Sequence, residues 1–188
     1  YSTLIRVHFE LLSEYSEVFL LGMAAPQDNR KRLFSKEKSV RQTTIPEADV
    51  ELKLIAAILD DSGFEFVETG ADSLYLVSEA FPVWINVDPR LKAIVVSTYL
   101  SIDPDGDAVE ATALAMSANE RAPFLSFWIH GDRLNASAMH LFKGGLPRRS
   151  LLAFVRTVPK IFTEVTKSVD GGHLLIAPGE QACSRTIH

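Results

Sequence analysis

Between Pro123 and Phe142 two short alternating segments are hinged on Gly131-Asp132, and this hinge constrains the fold more than any other stretch. With Gly131-Asp132 as a two-residue turn, Ile129 falls opposite Leu134, Phe127 opposite Ala136 and Leu125 opposite Ala138. All three pairs are apolar and share one face, an arrangement that a one-residue slip would undo. The second face then pairs Phe124 with Met139, Ser126 with Ser137 and Trp128 with Asn135. One face is thus committed to a core. The other is either covered by a helix, the default for such large apolar groups, or open to a partner.

The remaining elements read outward from that hairpin. Leu4, Val7, Leu11, Tyr15 and Val18 recur at helical intervals, and residues 23–45 read as a flexible linker. Pro46, with Glu47 and Asp49 behind it, predicts a helix start; Leu52, Ile55 and Leu59 supply its buried stripe, and Ser62-Gly63 ends it. Four strands follow, Phe64–Val67, Leu74–Val77, Phe81–Val87 and 91–101, with the turn at Asp88-Pro89-Arg90 compatible with either a four-residue loop or a shorter one. Asp107 and Glu110 have capping-box spacing at the head of an Ala-rich second helix, which runs through Val109, Ala113 and Met116 and stops before Pro123. After the hairpin, Gly144-Gly145 breaks the chain before a third helix from about Pro147 to Val169. Pro159 lies inside that helix and is expected to kink or split it. Residues 171–188 read as a tail.

The fold class is therefore α+β, an antiparallel sheet with packing helices in the order α-β-β-β-β-α-β-β-α. At 188 residues and 47% hydrophobic content, one ordinary domain with free ends is expected. The net charge of -5 argues against a general nucleic-acid binder. That charge is uneven: between Gln27 and Thr44 six basic residues face Asp28 and Glu37, a local +4, which leaves -9 on the rest. The segment reads first as a soluble linker, with RNA binding through residues 27–44 as the alternative. The lone Cys183 excludes an internal disulfide, fits a reducing compartment and points to a cytoplasmic location. No run approaches the length needed to span a bilayer, and acids stand where a signal peptide wants positive charge. Residues 1–22 read either as a helix or as an extension upstream of a start at Met23.

Several motifs resemble chemical sites and fail on spacing. Asp103-Pro104-Asp105-Gly106-Asp107 alternates carboxylates as a calcium loop does, but Ala108 stands where the loop needs glycine and Leu114 where it needs glutamate. His130 and His140 are too far apart along the hairpin, at about 3.3 Å per residue, to share a metal ion. No glycine-flanked serine and no phosphate-binding glycine loop is present. The expectation is no catalytic residue, no cofactor and no metal.

Leu59 through Gly63 before an aromatic strand, Val83-Trp84-Ile85-Asn86-Val87, Asn119 near the end of the second helix, Phe124 to Trp128, and Gly144-Gly145-Leu146 before the last helix together resemble the YbjN family. That family is described as bacterial sensory transduction regulators, with a type III secretion chaperone-like fold. The resemblance covers roughly residues 47–168 and leaves out residues 1–46 and the tail. It implies an antiparallel sheet backed by helices, homodimers, and neither catalysis nor a cofactor.

The function expected is a non-enzymatic protein-binding module, a regulator or chaperone-like adaptor acting as a homodimer, with no membrane partner. Its contact residues are expected to be Trp84, Phe124, Trp128 and Met139, because aromatic and methionine side chains dominate such surfaces. The main rival is a small-molecule-binding or hydrolytic enzyme with a pocket between sheet and helices.

Overall fold

The hairpin forms in the expected register. Strands β6 (Ser126–His130) and β7 (Arg133–Leu141) pair Ile129 with Leu134, Phe127 with Ala136 and Ser126 with Ser137. Gly131 holds φ at 59°, the positive value a tight hairpin turn requires. The ladder stops at Ser126. Pro123 to Leu125 form a turn closed by the Leu125 N–H on the Ala122 carbonyl, so the expected Leu125–Ala138 and Phe124–Met139 pairs do not form.

The structure, a computed structural model, describes residues 43–70, 72–77, 81–171 and 174–176. Every described residue belongs to one compact unit within residues 37–188. The readings made for residues 1–22, for most of the basic segment 27–44 and for Cys183 fall outside the described residues.

Along the chain, β1 (Thr44–Ile45) and a single 3-10 turn at Glu47–Asp49 precede α1 (Leu52–Asp61). Strands β2 (Phe66–Thr69), β3 (Ser73–Leu76), β4 (Val83–Asp88) and β5 (Ala93–Ile102) follow, then α2 (Ala108–Arg121). After the hairpin come β8 (Leu146–Pro147), α3 (Arg148–Asp170) and β9 (Leu175–Ile176). The sheet order is β2-β3-β4-β5-β7-β6, antiparallel throughout, with β9 added beside β5 and a separate two-stranded pair of β1 with β8. Helices and main strands thus follow the expected α+β order.

Three local readings are corrected, and one left open, the turn after β4, is decided. Pro46 opens the 3-10 turn instead of α1, because Val50 and Glu51 are extended and break the helix between Asp49 and Leu52. The turn after β4 has four residues, since Asp88 pairs with Ala93; the Asp88 carboxylate accepts from the N–H groups of Arg90 and Leu91 and holds the loop. Helix α3 runs unbroken through Pro159, which lies buried between Val158 and Phe162 on the core face; that burial outweighs the one ladder bond a proline removes. Leu175–Ile176, read as tail, join β5, held by Asp170, whose carboxylate accepts from the N–H groups of Leu174 and Leu175.

One face of the sheet carries Leu76, Val83, Thr98, Ala136 and Phe127 in register, with Leu74, Ile85, Val96 and Ala138 in the next row. All are buried, and all three helices pack on this face in one core. Ile55, Ile58 and Leu59 enter from α1, Leu114 and Ala118 from α2, and Leu151, Val155 and Phe162 from α3. Phe162 sits between Phe81 at 5.0 Å and Phe127 at 5.9 Å, tying α3 to the sheet.

Candidate functional site

The strand register that buries one face sets out the other. Across it run Val67, Tyr75, Trp84, Ser97, Ser137 and Ser126, one from each strand in sheet order. A second row holds Ser73, Asn86, Val95 and Met139, and on the opposite side of the first row a third holds Tyr99, Asn135 and Trp128. The three serines are small and lie between larger neighbours: Val95 and Met139 on one side, Tyr99 and Trp128 on the other. They form one row across β5, β7 and β6, with Trp84 of β4 next in line beside Ser97. None of the large side chains on this face belongs to the core, and no described helix covers it.

The aromatic groups are held by one another. The Trp84 ring lies 5.5 Å from Tyr75 and stacks on Tyr99 at 5.5 Å, and the Arg133 guanidinium sits 4.3 Å over the Tyr99 ring. A β-sheet face rich in such contacts gains rigidity without helix cover, because each ring desolvates its neighbour. Arg133 also lies 3.8 Å from the Asp132 carboxylate, so its charge is partly balanced at the hairpin tip.

Three of the four expected contact residues share this face. Trp84 comes from the start of β4 and is half-buried; Trp128 comes from edge strand β6 and is half-buried; Met139 comes from β7 and is exposed. Phe124 is exposed but lies in the turn before β6, off the ladder. Tyr75, Tyr99 and Arg133 were not singled out from the sequence. The signal was there: carrying the alternation of Val83 and Ile85 against Trp84 into β3 and β5 puts both tyrosines on the tryptophan's side. Helix α2 buries Ala111, Leu114, Ala115 and Ala118 and turns Val109, Ala113 and Met116 outward, so the residues that marked the helix in the sequence are its exposed side.

The groups weighed as chemical sites have structural partners. Asp103 accepts from the Asp105 N–H, and Asp107 caps α2 by accepting from the Val109 N–H at 2.8 Å instead of the expected Glu110 amide. His130 and His140 stand on opposite faces of the sheet, given the odd spacing between Arg133, which pairs with His130, and His140. Among the described residues no group of three or more His, Cys, Asp or Glu side chains is placed to hold a metal ion. No helix among them is long and apolar enough to cross a membrane.

Six antiparallel strands in the order β2-β3-β4-β5-β7-β6, with the described helices on one face and an aromatic face over which no described helix lies, define an α+β fold of the YbjN type. The chain is similar to the crystal structure of YbjN from E. coli, a candidate transcription regulator, with a TM-score of 0.58 and 19% identity over 68% of this chain and 96% of that one. No protein-family model matches the chain, and no curated protein matches it. At this identity the likeness is one of fold. The markers read from the sequence have physical roles in it: Asn119 bonds the backbone of β6, and Gly145 lets β8 approach β1.

Proposed function

We propose that the chain is a non-enzymatic protein-binding module, a regulator or chaperone-like adaptor that self-associates as a homodimer and holds its partner on the sheet face opposite the described helices. One observation carries the reading: the described helices pack on one face, while the other presents Trp84, Trp128 and Met139 with no described helix over it. Large aromatic and methionine side chains on a flat, nearly uncharged sheet are suited to holding an apolar surface. Phe124 and the outward side of α2, with Val109 and Met116, extend the apolar area beyond the hairpin.

Sedimentation velocity of the full chain, with and without Trp128→Ala and Phe124→Ala, tests the reading. A dimer whose dissociation constant rises at least about fivefold in each variant, equal to about 1 kcal/mol, supports it. A monomer at all concentrations, with variants that lower only thermal stability, overturns it.

A further inference from the structure

The two edges of the sheet are treated differently. At the β6 edge the two-residue turn makes His130 and Arg133 a hydrogen-bonded pair, so Phe127 and Ile129 turn their N–H and C=O groups away from β7. The Phe127 pair is fully used. Its N–H donates to Asn119 Oδ1 at 2.9 Å, and its C=O accepts from Asn119 Nδ2 at 2.8 Å. A side chain occupies the place of a neighbouring strand, one of the ways an edge is closed to pairing.

At the other edge nothing comparable stands. The Val77 N–H donates to the Glu65 C=O at 2.9 Å, which makes Glu65 and Val77 a hydrogen-bonded pair. Alternation from there gives Val67–Tyr75 and Thr69–Ser73 as the bonded pairs of β2 and β3, so Phe66 and Glu68 point their N–H and C=O groups outward. Among the described residues no strand lies beyond β2 and no side chain bonds those four groups. The residues around them give the edge a chemical preference. Val67 is 49% exposed on the aromatic face, while Glu68 is exposed on the helix side, and Glu65 and Asp72 add two more exposed carboxylates at its ends. The Arg156 guanidinium lies over the Phe64 ring, before the strand begins.

We propose that the outer edge of β2 docks an extended cationic peptide as an added strand, with basic side chains beside Phe66 and Glu68 and an apolar one beside Val67. The added strand takes up the four free backbone groups, and strict alternation sends its basic residues to the acidic side and its apolar residues to the aromatic side. The acidic rim disfavours a second β2 strand in the same place, because like charges would then meet across the pair. This site is separate from the aromatic sheet face and does not require it.

The test uses the full chain and a fluorescent peptide of alternating valine and lysine, read by anisotropy at low salt. Three peptides are compared: the parent, one N-methylated on its lysine amides and one N-methylated on its valine amides. Only one of the two sets faces the β2 edge, so one methylated peptide should bind at least about tenfold more weakly and the other like the parent. A glutamate-for-lysine peptide and the Glu68→Lys variant should each also weaken binding at least about tenfold. Glu68→Pro removes an outward donor without costing a β2–β3 bond and should abolish binding, while Trp128→Ala should leave it unchanged. Equal affinity of the two methylated peptides, or no binding of the parent, overturns the proposal; both readouts use the native protein, so they stand even if Glu68→Pro fails to fold. Loss of peptide binding in Trp128→Ala would also overturn it, moving the peptide to the sheet face.

Discussion

Asn119, at the end of α2, forms two hydrogen bonds with one residue of β6: its Oδ1 accepts from the Phe127 N–H at 2.9 Å and its Nδ2 donates to the Phe127 C=O at 2.8 Å. The same Nδ2 reaches the Ala115 carbonyl at 2.9 Å, so helix and strand edge are joined through one amide. The small Ala115 and Ala118 beside it let α2 lie close enough for this geometry. Only a carboxamide supplies donor and acceptor together in that plane.

Asn119→Ala is therefore expected to destabilise the fold by about 1–3 kcal/mol, since two backbone groups lose their partners. Asn119→Asp should also destabilise, because a carboxylate accepts from the Phe127 N–H but meets the Phe127 C=O with a second acceptor. Urea unfolding measures both. Light scattering should show the alanine variant self-associating more readily than the parent chain, as its bared edge becomes free to pair.

Gly145 carries a second constraint. Its φ is 118°, and a Cβ built on it would stand 3.1 Å from the Ile45 carbonyl oxygen, where β1 pairs with β8. Gly144 also has positive φ, at 85°, but has nothing within 4 Å. Gly145→Ala should cost roughly 1 kcal/mol more than Gly144→Ala, because strain and contact act together at the first and strain alone at the second. Comparing urea midpoints of the two variants checks the order, and equal losses would show that β1 and β8 part easily.

How much of this was legible depended on the range of the forces involved. The β6–β7 register came from local turn chemistry and alternation, so it could be read directly from Ile129, Gly131 and Leu134. Where the ladder ends could not, because the Ala122–Leu125 turn is set by how α2 meets the sheet. Two-residue strands such as Leu175–Ile176 carry no periodicity of their own; Asp170 and the side of β5 define them. The site was half legible. Trp84, Trp128 and Met139 were identifiable by residue type, but both faces of these strands are apolar enough for a core, and only the placement of the described helices decides which one they cover. That Pro159 does not split α3 was hidden for a similar reason, since its local cost is visible in sequence and its buried packing is not.

Stability should fall in two acid steps. The His140 ring packs 5.2 Å from Phe154 of α3, and burial lowers its pKa below the ordinary histidine value. The unfolded chain then binds a proton that the folded one refuses, so this contribution is complete above about pH 6.5 and is lost as pH falls through the lower folded value. The Glu47 carboxylate accepts from the Gly144 N–H at 2.8 Å and lies 3.6 Å from Lys92; the first contact, then the second, holds its pKa below the ordinary range. Its contribution is present above the ordinary carboxylate pKa and is lost as pH falls through the lower folded value. His140→Phe should flatten urea midpoints between about pH 7.5 and pH 5.5, and Glu47→Gln should flatten them only at lower pH. A His140→Phe profile identical to that of the parent would mean that the ring stays solvated.

Trp84 and Trp128 share a face but not a role. Trp84 lies between Tyr75 and Tyr99, each 5.5 Å away, in the centre of the sheet, whereas Trp128 stands on the edge strand with Asn135 beside it in register. Replacing Trp84 by alanine removes two ring contacts, each worth about 0.5–1.5 kcal/mol beyond burial, and should lower stability by roughly 1–3 kcal/mol. Trp128→Ala, with no ring pair to lose among the described residues, should shift the urea midpoint much less and act mainly on association. Trp84→Phe keeps an aromatic ring between the tyrosines and should restore most of the stability without restoring full partner contact, because the indole's extra area is gone. Measuring unfolding and sedimentation on the same three variants separates the two roles. If Trp84→Ala and Trp128→Ala lose stability equally and association not at all, the face is held by its own packing and the partner binds elsewhere.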